Sequence, residues 1–265
     1  MHDIRYHTVR DEIYVTNPFA QAILAFKADA DAQAAPVRII QGPKTQLGDI
    51  DTLEVDSVND EIIIPEGNGF KVFPVGANGD VAPLRTAYAG GGRNAQWGVG
   101  GGIAVDNVHN FIATDGSVSG SLEAKYPTVT QEGLRTNRNS ILIFDRLADG
   151  ETMPLRVIRG EKTGIFGIRQ MQIYPKGGWV IIAQITEGRI AIPEGAFVGV
   201  WSIYDDGDVP PRWRIDAKPS NILMKPRGVA LNPNHKELLV SDMRLNSVLT
   251  FAFPELFDQE ARPRQ

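Results

Sequence analysis

Ile13-Tyr14-Val15-Thr16-Asn17 returns along the chain as Ile62-Ile63-Ile64-Pro65-Glu66, Phe111-Ile112-Ala113-Thr114-Asp115, Val180-Ile181-Ile182-Ala183-Gln184 and Leu238-Leu239-Val240-Ser241-Asp242. Each copy is a short apolar run that closes on a polar side chain. Successive copies begin 49, 49, 69 and 58 residues apart. The runs lack the ~3.6-residue period of an amphipathic helix and have the length of buried strands.

A second strand precedes each copy: Ile4–His7, Leu53–Asp56, Ile103–Asp106, Met171–Tyr174 and Val229–Asn232. A third follows at Ala22–Phe26, Phe70–Phe73, Ser140–Phe144, Val200–Tyr204 and Ser247–Phe251. Four repeats then show a fourth strand that opens at Pro36, Pro83, Pro154 and Pro211. Proline lacks the N–H that an inner strand needs, so these belong at a sheet edge. Repeats of ~40–50 residues with four strands each are the pattern of propeller blades. The chain therefore reads as an all-β propeller over 1–265, with repeats at 1–48, 49–100, 101–166, 167–224 and 225–265. Strands a, b, c and d run outwards from the axis.

Composition supports a folded domain: 42% hydrophobic and 22% charged residues in 265 suit a globular core. A net charge of −5 disfavours nucleic acid as a partner. The absence of Cys excludes disulfides, thiolate metal sites and a Cys nucleophile. No apolar run approaches the ~18 residues of a membrane span. A secreted or periplasmic location is compatible with these features, given a signal in a preceding segment.

Ser241-Asp242-Met243-Arg244-Leu245-Asn246-Ser247-Val248-Leu249-Thr250-Phe251 resembles the b–c hairpin of NHL-type propellers, and Gly228–Pro233 and Gly102–Asp106 resemble the strand before it. Tyr14-Val15-Thr16-Asn17 matches the tetrapeptide of the YVTN family of bacterial propellers. The resemblance implies a six-bladed ring. The chain opens at strand a of its first repeat and stops where strand d of the fifth should begin, so two architectures stand open. One is a five-bladed ring with a weak last blade; the other is a six-bladed type with one blade missing.

Asn17, Glu66, Asp115, Gln184 and Asp242, the polar ends of strand b, should encircle one mouth of the channel. Three carboxylates and two amides suit a ligand or a hard cation such as Ca2+. The same residue types cap b–c turns through nearby backbone N–H groups. Regucalcin-type lactonases hold a divalent ion with carboxylates and an amide at such a mouth, which makes Glu66, Asp115 and Asp242 the metal candidates. Trp97, in the Gly-rich stretch 90–102, is placed either on that rim as a flank for a ligand or between blades. The long b–c connections at 116–139 and 185–198 reach the same rim. Arg5 and Glu54 are positioned for an ion pair between blades. Gly42-Pro43-Lys44-Thr45 and Gly160-Glu161-Lys162-Thr163 read as repeated turns and not as phosphate loops. His109 and His235 fall in a–b turns, which argues against histidine catalysis.

Two functions follow. The first is a non-catalytic binding module whose rim recognises a protein, a glycan or a small molecule. The alternative is a divalent-metal-dependent hydrolase of the regucalcin/gluconolactonase type.

Overall fold

A computed structural model describes residues 3–90, 96–119, 122, 125, 140–185, 195–217 and 222–264. The first blade is β1 (Ile4–His7), β2 (Glu12–Asn17), β3 (Ala22–Lys27) and β4 (Arg38–Ile40), in that spatial order and antiparallel throughout. The second is β5 (Glu54–Asp56), β6 (Glu61–Glu66), β7 (Gly69–Pro74) and β8 (Arg85–Tyr88). Blade three holds β9 (Trp97–Asp106), β10 (Phe111–Val118), β11 (Ser140–Asp145) and β13 (Arg156–Ile158). Its β12 (Gly150–Glu151) instead crosses to pair in parallel with β8 of blade two. Blade four is β14 (Ile168–Tyr174), β15 (Trp179–Gln184), β16 (Phe197–Ser202) and β17 (Trp213–Asp216). Blade five has three strands, β18 (Pro226–Asn232), β19 (Glu237–Asp242) and β20 (Ser247–Ala252), followed by the short helix α1 (Pro254–Asp258). The molecule is a five-bladed β-propeller. Where six blades were expected from the resemblance, the five repeats make five.

The turns explain why the repeats fold alike. The a–b turn ends on a residue with positive φ in every blade: Asp11, Asp60, Asn110, Gly178 and Lys236. Asp, Asn and Gly tolerate that left-handed conformation best, so the hairpins are specified locally. Between blades, Gly42 and Gly160 sit at φ 129° and 139°, and each leads into a 3-10 turn whose threonine hydroxyl donates back to the glycine carbonyl at 2.6 Å. Asp80 and Asp208 of the following blade accept the N–H groups of Lys44 and Lys162 at 2.6 and 2.7 Å. The repeated Gly-x-Lys-Thr is thus a structural clamp between neighbouring blades.

Burial happens at the seams. Tyr14, Ile23 and Ile40 of blade one pack on Val55, Ile62 and Phe73 of blade two. Phe70 and Val72 meet Trp97, Phe144 and Val157 at the next seam. Ile141 and Ile143 meet Met171, Val180 and Trp201 at the third, and Ile181, Val198 and Val200 meet Val229, Leu238 and Val240 at the fourth. Among the described residues no such buried cluster joins blade five to blade one. Ile4 pairs Val15, Val15 pairs Leu24 and Leu24 pairs Ile39, so these four share one face of blade one. That face is uncovered at Ile4 (60% exposed) and Ile39 (38%), and Val248 on the outer face of blade five is 65% exposed. The ring has four sealed seams and one open one. Helices play almost no part, and no described helix is long and apolar enough to cross a membrane.

Candidate functional site

The channel opens at one mouth into a cavity of about 550 Å3, to which all five blades contribute. Its wall is formed by residues of each strand a or by those just before it. Asp3 and Arg5 come from blade one, Asp51 and Thr52 from blade two, and Gly101 and Gly102 from blade three. Arg169 and Gln170 complete it from blade four, and Arg227 and Gly228 from blade five. Asp115 and Ser241 reach it from strand b.

Of the five strand-b termini, Asp115 alone lines this cavity. Its Oδ1 accepts the Gly102 N–H at 2.6 Å, and a Cβ on Gly100 would lie 2.1 Å from its Oδ2. The glycines at 100 and 102 are what let strand β9 come this close to the carboxylate. Asp242 is buried, and it accepts four backbone N–H groups: Arg244 and Leu245 on Oδ1 at 2.9 and 3.0 Å, Met224 and Lys225 on Oδ2 at 2.6 and 2.7 Å. Gln184 is fully buried; it accepts the Phe166 N–H and donates to the carbonyls of Gly164 and Gly195. Asn17 accepts the Ala20 N–H at 3.3 Å, and Glu66 is paired with Lys71 at 2.5 Å. Asn17, Gln184 and Asp242 therefore act as turn caps where they stand. Among the described residues no three His, Asp or Glu side chains gather as a cation site requires, and Glu66, Asp115 and Asp242 are not brought together. The donor set does not fit a resident Ca2+.

Trp97 takes the inter-blade position. It begins strand β9, is 2% exposed, packs on Phe144 with ring centroids 4.5 Å apart, and donates its indole N–H to the Thr152 carbonyl at 2.8 Å. The expected loop at 90–102 is strand from Trp97 onward; glycine there permits close approach of β9 and β10, since a Cβ on Gly116 would sit 2.1 Å from the Gly98 carbonyl. Most of the 116–139 and 185–198 connections lies outside the described residues.

Arg5 reaches Glu54 across the first seam at 3.4 Å and Asp3 at 2.7 Å. Burial pushes the Glu54 carboxyl above the usual carboxylate range, against the pull of Arg5. On the opposite face His109 pairs with Asp106 at 2.9 Å, and the buried His7 accepts the Arg10 N–H on Nδ1 and meets Asp60 through Nε2 at 2.9 Å. These contacts fasten a–b turns.

The repeated apolar runs do not mark Arg169, Gln170 and Arg227, polar residues at the start of strands β14 and β18. The signal was available. Counting two residues back from the first strand-a residue read in the sequence gives Asp51, Gly101, Arg169 and Arg227 in blades two to five, a variable position that is charged in three of the four.

No protein-family model matches the chain, and no curated protein matches it in sequence. Solved structures do. Hydrazine synthase of Kuenenia stuttgartiensis superposes with a TM-score of 0.56 at 13% identity, over 89% of this chain and 54% of that one. A chain of the mitotic checkpoint complex gives 0.56 at 12% identity, over 91% of this chain and 58% of that one. A chain of the nidogen/laminin complex gives 0.59 at 11% identity, over 96% and 76%. This chain thus spans little more than half the length of the first two. At these identities the likeness shows the β-propeller fold alone.

Proposed function

We propose that the chain is a non-catalytic protein-binding module, a propeller of the NHL/YVTN type, that engages its partner with the channel-mouth face. The observation that carries this is the open polar cavity, to which every blade contributes wall residues from its innermost strand or from the residues just before it. The turns of the opposite face are occupied with their own carboxylates: Asp56 holds the Val58 and Asn59 N–H groups, and Asp106 holds those of Val108 and His109. A rigid ring with one variable, polar mouth is the arrangement expected for recognition on a scaffold. Two of the similar structures are described as protein complexes, nidogen/laminin and the mitotic checkpoint, which supports a protein partner. A metal hydrolase needs carboxylates free to ligate and polarise a carbonyl, whereas Glu66 and Asp242 are engaged by Lys71 and by backbone N–H groups.

Site-specific photo-cross-linking tests the face. A photoreactive residue at Thr52 or Ser241 should trap a protein in the native cells, and the same residue at Val58 or Val108 should not. Adducts from the second pair instead, or from neither, contradict the proposal.

A further inference from the structure

Of the three arginines that line the mouth, Arg5 is paired with carboxylates and, among the described residues, the other two are not. Arg5, Arg38, Arg85, Arg146, Arg212 and Arg264 each meet a carboxylate. Arg169 and Arg227 both line the cavity, and among the described residues neither has an ion-pair, hydrogen-bond or aromatic partner. They also occupy the same place on adjacent blades. Strand β14 pairs Ile168 with Gln184 and Gln170 with Ala183, leaving Arg169 as the extra residue of a bulge. Strand β18 pairs Pro226 with Asp242 and Gly228 with Ser241, which leaves Arg227 in the same role. A bulge re-aims its extra side chain, and bulges concentrate at functional rims.

The wall between them is built. Gln170, which lines the cavity, accepts the Val229 N–H of blade five through Oε1 at 2.6 Å, which fixes the amide across the seam. A Cβ on residue 228 would stand 2.8 Å from both Gln170 Oε1 and Ser241 Oγ, so only glycine allows the amide and the hydroxyl to approach. The cradle is thus lined by two arginines, an amide side chain and a serine. Burial first, and then the positive charge of Arg169, hold the Arg227 guanidinium below its ordinary range. Two like charges with no ion-pair partner among the described residues disfavour the charged pair in the free protein and favour whatever anion neutralises it.

We infer that Arg169 and Arg227, with Gln170 and Ser241, form a binding site for an oxyanion, a carboxylate or phosphate group carried by the ligand of the channel mouth. Planar guanidinium groups match the paired oxygens of both anions. The inference rests on the mouth being the binding face, and it is read with free anions, so its failure and that of partner cross-linking are separate results.

The test is thermal melting of the intact chain in inorganic phosphate, in succinate, and in chloride of equal ionic strength. An anion bound at about five times its dissociation constant raises the melting temperature by roughly 2–4 °C. Phosphate or succinate should do so, and which of the two acts tells the source of the oxyanion. The double variant R169Q/R227Q should melt higher than wild type in chloride, because the repulsion is gone, and should show no anion shift. Arg244→Gln, an exposed arginine of the neighbouring b–c turn, should keep the shift. Should the double variant not fold, Arg227→Lys, which keeps the charge and loses the fork, is expected to weaken anion binding about 5–10-fold. No shift in wild type with either anion at about 20 mM overturns the inference. So does an unchanged shift in the double variant, unchanged affinity in Arg227→Lys, or loss of the shift in Arg244→Gln.

Discussion

Asp242→Ala separates a turn cap from a ligand-binding carboxylate more sharply than any other change in this ring. The side chain is 2% exposed and its two oxygens accept four backbone N–H groups at 2.6–3.0 Å. Two belong to the b–c turn of blade five and two to the segment that leads into strand β18, so the carboxylate ties a hairpin to the entry of its own blade. A hydrogen bond to a charged acceptor contributes about 1.5–3 kcal/mol, and truncation leaves its donors unmet. Some of these N–H groups gain water once the side chain is gone, and the four bonds are not additive. The net loss is about 3–5 kcal/mol. For a chain of this size that lowers the melting temperature by roughly 6–15 °C. Asp242→Asn keeps one acceptor oxygen, turns an NH2 against two donors, and should lose about half as much. Urea unfolding followed by circular dichroism measures both variants. A loss below about 1 kcal/mol in Asp242→Ala, with ligand binding abolished, would refute the cap assignment and restore Asp242 to the binding ring.

Further outcomes follow from the seams, from one buried carboxylate and from one turn. Ile40→Ala, 2% exposed in the first seam, should lose about 3 kcal/mol in the same unfolding assay, whereas Ile39→Ala on the uncovered face (38% exposed) should lose about 1; equal losses would mean that the fifth seam is covered. Glu12 is held at a pKa of about 2 against an ordinary value of 4.5: burial alone would raise it, and hydrogen bonds from Arg38, Lys27 and Tyr14 outweigh that. Because the folded value lies below the unfolded one, this stabilisation is complete above pH ~5 and is lost as the pH falls towards ~2. Glu12→Gln should therefore be about 2–3 kcal/mol less stable than wild type at pH 7, with the difference vanishing near pH ~2; a pH-independent difference would contradict the assignment. His109→Asn should change stability by less than about 0.5 kcal/mol, since Asn59 already makes the equivalent bond in blade two, from Nδ2 to Asp56 at 2.6 Å.

Much of the fold was legible because its signals are local. Strands a and b appear as apolar runs, and the residues at 11, 60, 110, 178 and 236 carry the turn chemistry that joins them. The Gly-x-Lys-Thr turns were legible for the same reason: Asp80 and Asp208, which complete them, repeat with them. Trp97 was ambiguous. A glycine-rich run reads as a loop, and only the approach of Gly98 to Gly116 across two strands makes it a sheet. The site was harder still, because hydrogen-bonding side chains look alike in sequence whether they cap a turn or face a ligand. Asp115 and Asp242 hold the same place in the repeat, yet one lines the cavity while the other is spent on four N–H groups. Arg169 and Arg227 share a repeat position with Asp51 and Gly101, but that position marks no function by itself, since their significance lies in the partners they lack among the described residues.

The most direct measurement of the account is amide hydrogen exchange of the chain with and without its captured partner. Protection should appear at the mouth, in residues 50–52, 101–102, 166–170 and 224–228, and the a–b turns at 57–60, 107–110, 175–178 and 233–236 should exchange as before. Protection confined to those turns, with the mouth unchanged, would contradict the assignment of the binding face.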